Sequence, residues 1–310
     1  MEGVMMKSPK GIALSVRKPD GEIETEYTPF MTKAQKGTFW GLPIVRGVVT
    51  FVEALSTGMQ TITRSAELSG DESMEEEPTK FELWLSRVCG KSVEKVVMGV
   101  AVVLAVILSV ALFFVLPLLG GSLMFKIFPG IPSGVRSLVE GVFRLLIFLG
   151  YIVAVSNIKD IRRVFMYHGA EHKTIACYEA EDEVTPQNAM KYTRLHPRCG
   201  TNYLFLVMAV SIVFFAIVGW SNNFLIRLGT RLLFLPLVAG LSYEVLRFAA
   251  KSDNPLTRII RAPGMGLQHL TTKEPTEDML EVAIASFKRA MQDVNENEKE
   301  NKETSASDAE

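Results

Sequence analysis

From Val96 to Phe125 the chain runs for 30 residues without a formal charge, and from Cys199 to Ile226 for another 28. A helix needs roughly 20 apolar residues to cross the hydrocarbon core of a bilayer, whereas the helices of water-soluble domains keep one face charged. The two runs predict spanning helices at about 96–118 and 203–220. Two weaker segments suit a hairpin partner for each. The segment 136–158 carries Glu140 and Arg144 in its first half; 224–247 carries Arg227 and Arg231 early, then Glu244 and Arg247 at its end. The pattern predicts a mainly α, polytopic helical membrane protein with about four spanning helices.

Other parts of the chain follow other rhythms. IALSVRK and EIETEY alternate with period two on either side of Pro19-Asp20-Gly21, which predicts a small hairpin within residues 11–30. Residues 37–64 are apolar but interrupted by Arg46 and Glu53, the pattern of a membrane-surface or partly inserted helix. Residues 1–68 therefore read as an N-terminal hairpin plus interfacial helix, and SGDESMEEEPTK at 69–80 as an acidic linker. The membrane bundle fills 81–250 and holds a cytosolic loop at 159–202. A cytosolic C-terminal segment occupies 251–293. There Thr276 can cap a helix with an apolar stripe of Met279, Val282, Ala283, Phe287 and Met291. Residues 294–310 are polar and acidic, a disordered tail.

Charge sets the orientation. The segment 159–202 holds seven Lys or Arg residues, 119–135 holds one, Lys126, and the turn Ser221-Asn222-Asn223 none. By the positive-inside rule, both termini and the 159–202 loop face the cytosol. The net charge of −1 argues against a nucleic-acid partner. Cys89, Cys177 and Cys199 are too few and too scattered for a disulfide framework, so reduced thiols facing the cytosol are expected. No apolar run with a cleavage site opens the chain, so no signal peptide is expected. Charges within spans are costly and usually paired. Glu140 can pair with Arg144 at i,i+4 or with an arginine of the fourth helix, as a structural ion pair or as part of a transport pathway.

The string YHGAEHK at 167–173 concentrates ionisable groups. On a helix His168 and His172 project from one face, with Glu171 three residues from His168. H-x-x-E-H is the spacing of inverted zinc proteases, whose glutamate acts as a base on water. LHPRCGTNY at 195–203 adds His196 and Cys199. Three of the four histidines and two of the three cysteines fall within 32 residues, and a metal needs three or four such ligands. The plainer readings are headgroup or carbonyl hydrogen bonds for His168 and His172, and a shaped helix entry for His196 and Cys199. Cys177 reads as a small buried hydrophobe, Met5 and Met6 as packing, and His269 as a surface residue in a Gly-rich turn. Cys199 paired with His172 or His196 would make a thiolate nucleophile instead. Glu171 beside two histidines favours the metal.

Longer strings carry a resemblance: EGVMM at 2–6, IALSVR at 12–17, YHGAEHKTIACYE at 167–179, HPRCGTNYL at 196–204, SYEVLR at 242–247 and PGMGLQHLTTKEPTEDMLEVAI at 263–284. Over about residues 2–290 the chain resembles the YqhQ-like family of bacterial membrane proteins, described as predicted metal-dependent enzymes. The resemblance implies functional roles for His168, Glu171, His172, His196 and Cys199, which fall on its motifs with Gly3 to Met6, Glu244 and Arg247. It does not require His269. The combined expectation is a divalent cation, zinc, held by His168 and His172 with His196 or Cys199 as the third ligand. Glu171 serves as general base in hydrolysis at the cytosolic membrane boundary. The expected partners are the lipid bilayer, a membrane-associated substrate or partner protein, and a second copy in a homo-oligomer. The rival expectation is a membrane scaffold or transporter component in which the cluster is structural.

Overall fold

The computed structural model describes residues 2–70 and 93–307, and side chains within that range except at 93–98, 133–134 and 293–307. Most of the linker expected at 69–80, and Cys89, lie outside the described residues. The fold is mainly helical with one small antiparallel sheet. It divides into two compact units, the first comprising Met1–Asp71, Ile152–Val207 and Ala239–Glu310, the second Glu72–Tyr151 and Met208–Val238.

The first unit opens with the sheet. Strands β2 (Gly11–Arg17) and β3 (Ile23–Pro29) form the expected hairpin, with Gly11 opposite Pro29 and Arg17 opposite Ile23. The Asp20 carboxylate accepts from the Glu22 N–H at 2.9 Å and closes the turn. A strand the alternation did not reveal, β1 (Gly3–Lys7), pairs with the other edge of β2. Its five residues, GVMMK, are too short and too uniformly apolar to show a period of two. Helix α1 (Val45–Leu68) begins just after Pro43, within the region expected to be interfacial. Val52, Leu55, Met59 and Ile62, spaced along one helical face, are all exposed. The core is built from Val4, Met6 and Ala13 of the sheet with Tyr167, Ala170 and Cys177 of α5 (Lys159–Glu179) and Met279, Leu280, Val282 and Ala283 of α11 (Glu277–Ser307). The apolar stripe read at 279–291 thus seals the sheet. Helix α11 also runs on through residues 294–307, where a disordered tail was expected.

Among the described residues, the helices long and apolar enough to cross a membrane are Gly99–Ile127, Val135–Ser156 and Thr201–Val218, with a fourth if a bent pair counts as one. The first comprises α2 (Val93–Val110), a π-helical turn (Ala111–Val115) and α3 (Leu116–Ile127). It ends nine residues beyond the expected 118, because Pro117 falls in the first turn of α3 and does not stop the helix. The second and third lie on α4 (Ser133–Ser156) and α7 (Thr201–Val218). The fourth pairs α8 (Phe224–Leu233) with α9 (Leu235–Ala250), bent by 44°. Pro236 cannot donate the helical hydrogen bond expected of its position, so the ladder breaks here. The 159–202 segment is largely ordered as α5 and the short α6 (Pro186–Ala189). The sequence around His269, read as a turn, is the end of α10 (Pro255–Thr271), with Pro263 inside it.

Candidate metal centre

Helix α5 supplies two faces. Tyr167, Ala170 and Cys177 turn into the core. On the other face, Gly169 lets the segment after α10 lie against the helix. A Cβ at 169 would sit 2.1 Å from the Lys273 carbonyl oxygen, an approach only glycine tolerates. The Lys273 N–H donates to Phe165 O at 2.8 Å, fixing that path. It brings the Thr271 carbonyl within 2.9 Å of His168 Nδ1. The N-terminal motif braces the same helix: Arg163 and Tyr167 both bond the Glu2 carboxylate, the latter at 2.6 Å. Burial raises the Tyr167 hydroxyl pKa well above its ordinary value, and the Glu2 bond adds to this.

The strand of chain from 190 to 199 is anchored from below and above. Buried Lys173 donates to the carbonyls of Met190 and Tyr192 at 2.9 and 2.7 Å. Arg194 donates to the Thr272 carbonyl and hydroxyl at 3.0 and 2.8 Å, and its own carbonyl lies 2.6 Å from His172 Nδ1. Gln268, fully buried, accepts from the His196 N–H and donates to the His196 carbonyl, each at 2.8 Å, and also bonds Asn202 at 3.0 Å. Gly264, one turn earlier, lets Asn202 approach: a Cβ there would lie 2.5 Å from Asn202 Oδ1. These contacts place Cys199 just before α7, with its sulfur 3.2 Å from His168 Nε2 and accepting from the Thr201 N–H at 3.4 Å.

Among the described residues, one group of metal-ligating side chains converges: His168, His172 and Cys199, whose ligand atoms lie within 4.8 Å of one another. The imidazoles are 4.4 Å apart, centroid to centroid, at 66°. A carbonyl only accepts, so each Nδ1 facing one carries the proton, which leaves Nε2 as the ring atom able to offer a lone pair, in His168 toward the Cys199 sulfur. Metal-ligating histidines characteristically donate their second ring N–H to just such a partner. The His168–His172–Cys199 group can hold a metal ion.

The other candidates are placed differently. His196 lies 5.7 Å from His172, ring to ring, but stands outside the group. Its Nε2 is 3.3 Å from Glu179 Oε2 and its Nδ1 accepts from the Arg198 N–H at 3.3 Å, so both nitrogens are engaged. Of the two residues offered as third ligand, the geometry brings Cys199 in and leaves His196 at the rim. The imidazole beside Cys199 is that of His168, where the sequence reading paired it with His172 or His196. Glu171 is half-buried on the same helix. Burial pushes its carboxyl above the usual carboxylate range, and His168 pulls the other way. His269 is exposed. Cys177 is buried in the core and points to the Glu183 carbonyl, with its thiol pKa raised by burial and then by Asp182. No motif marks Gln268 or Arg194, and Lys173, inside YHGAEHK, shows no sign in the sequence of its carbonyl partners. Gln268 had one readable signal, a polar residue in helical phase with Gly264 and Thr271.

Residues 42–293 match the family described as "Protein of unknown function (DUF1385)". The chain belongs to the DUF1385 family. It is also 32% identical over 288 residues to the "Uncharacterized protein YqhQ" of Bacillus subtilis (strain 168), covering 93% of this chain and 89% of that protein. No solved structure matches it. The DUF1385 match takes in all five residues singled out for chemistry, from His168 to Cys199, and neither description assigns an activity to them.

Proposed function

We propose that the chain is a multi-pass membrane protein with a metal-dependent hydrolase site facing the cytosol. His168 and His172 hold the cation through Nε2 and Cys199 through its sulfur, and zinc suits two imidazoles and one thiolate. The observation that carries the reading is the pair of Nδ1–carbonyl bonds, at 2.9 and 2.6 Å, that leave Nε2 of each ring as the atom offered to a cation, beside a cysteine sulfur. A cation held there supplies Lewis acidity and lowers the cost of deprotonating water. Glu171, on the same helix, accepts that proton at its carboxylate and returns it to the leaving group. Among the described residues three ligating side chains converge, and a site of three protein ligands would keep a position open, as catalytic zinc sites do, whereas structural sites use four. That contrast favours an enzyme over the scaffold or transporter reading. The excess of Lys and Arg in 159–202 supports the cytosolic orientation, and the exposed stripe on α1 supports its lying along the bilayer surface. The substrate is then a membrane-associated peptide, lipid headgroup or precursor.

Metal content of the detergent-purified chain tests this reading, with wild type measured beside His168→Ala/His172→Ala. The expectation is about one equivalent of zinc or another transition metal, absent from the double variant. A folded wild type that takes up no metal on reconstitution sinks it. A second reading rests on the 3.2 Å from His168 Nε2 to Cys199 Sγ, the geometry of a thiol nucleophile and its base. It predicts a Cys199 that iodoacetamide alkylates at the same rate with and without added zinc.

A further inference from the structure

The charges inside the second unit do not balance. Over residues 99–151 and 208–238, Glu140 is the only acidic residue. It is 1% exposed, and Arg144, Arg227 and Arg231 around it are 5%, 3% and 1% exposed. Arg231 Nε lies 3.1 Å from Glu140 Oε1, Arg144 Nη2 3.3 Å from the same oxygen, and Arg227 Nε 3.9 Å from Oε2. A guanidinium does not give up its proton in a protein. One carboxylate against three guanidinium groups leaves a formal +2 in an apolar surrounding, where unpaired charge is strongly unfavourable.

Neutral partners satisfy several donors without removing the charge. Arg144 Nε donates to Phe113 O at 3.1 Å, the carbonyl that Pro117 cannot bond. Arg227 donates to Ser122 Oγ at 2.6 Å and to Ser221 O at 3.1 Å, with its guanidinium 3.9 Å above the Trp220 ring. Among the described residues of this unit, two buried polar atoms still have no hydrogen-bond partner: Arg227 Nε and the hydroxyl of Ser137, itself 2% exposed and one turn before Glu140 on α4. Buried donors of this kind are rare and call for a missing acceptor. We propose that the Arg144–Arg227–Arg231 cluster is a binding site for a phosphate-type anion, either the headgroup of an anionic membrane lipid or free inorganic phosphate. Both carry the one or two negative charges the cluster lacks and the several acceptor oxygens that arginine forks prefer.

The test uses the full chain in a neutral detergent, read by native mass spectrometry and thermal unfolding. The probes are phosphatidylglycerol, phosphatidylcholine (whose phosphate is balanced by choline) and inorganic phosphate. Wild type is expected to retain one anionic molecule per chain and to unfold several degrees higher with it. Arg227→Gln is expected to lower retention at least tenfold, while exposed Arg258→Gln leaves it unchanged. Glu140→Gln removes the competing carboxylate, so it is expected to bind the anion more tightly and to depend on it for thermal stability. Retention of phosphatidylglycerol alone identifies a lipid site, and retention of inorganic phosphate identifies a free-anion site; either outcome supports the proposal. Equal unfolding temperatures with and without each anion, in both wild type and Glu140→Gln, overturn it and leave a purely structural ion cluster.

Discussion

In the histidine–cysteine group each imidazole donates its Nδ1–H to a main-chain carbonyl and keeps Nε2 to offer a lone pair, whereas in the arginine cluster the one carboxylate is already shared and positive charge is left over. Both sites are built from ionisable residues brought together by helices. What differs is the kind of capacity that remains once the protein's own contacts are made. Spare lone pairs on nitrogen and sulfur suit a cation. Spare N–H donors and net charge suit an anion. A buried polar cluster is therefore best read by its remainder, after every internal bond has been assigned.

The sharpest way to break the comparison is to remove the single acid of the second cluster. Glu140→Ala leaves three buried cations without a carboxylate and is expected to destabilise the chain by about 3–5 kcal/mol. It should be measured as a lower thermal midpoint that phosphatidylglycerol partly restores. In the first cluster the large effect comes from backbone spacing. Gly169→Ala drives a methyl into the Lys273 carbonyl, costs about 1–3 kcal/mol, and should lower metal content, although residue 169 holds no ligand. Gln268→Leu takes away the acceptor of the buried His196 N–H and the donor to Asn202 Oδ1, a loss of about 1–3 kcal/mol, read by chemical denaturation.

Smaller effects sharpen the assignment. His196→Ala should keep metal stoichiometry near that of wild type, while His172→Ala loses it; equal loss in both would return His196 to the ligand set. The smallest effect concerns Glu2. Burial alone would raise its pKa, but hydrogen bonds from Arg163 and Tyr167 outweigh this and hold it below the usual carboxylate value. The stability it contributes is present above the unfolded pKa of about 4.3 and is lost as pH falls through the lower folded value. Glu2→Gln should flatten that acid limb by less than about 1 kcal/mol, since the pair is partly exposed.

The sequence made local features readable and left tertiary ones hidden. Charge-free runs marked the apolar helices, because a long uncharged run is visible residue by residue along the chain. The hairpin was legible from alternation and its turn, but β1 was not, since a five-residue strand of GVMMK shows no period. His168 and His172 could be paired because one helix fixes their spacing. The choice between His196 and Cys199 could not be made, because it depends on where α10 and the 190–199 segment cross α5. The carbonyls of Thr271 and Arg194 carry no side-chain signature at all, and Gln268 was overshadowed by the neighbouring His269. Glu140 and the arginines stood out as costly charges; their unequal numbers become meaningful only once all four are seen to share one buried place.

The two carbonyls that orient the imidazoles have a consequence for how this centre can change over generations. Main-chain oxygen is present whatever residue occupies 271, so the His168 tautomer is insulated from most substitutions at the position that sets it, while Arg194 holds its own carbonyl in place through its side-chain bonds to Thr272. The vulnerability is displaced to residues that route the chain, Gly169 and Gly264 above all. A centre specified in this way is inherited as a path through space, and a catalogue of its side chains would miss half of its instructions.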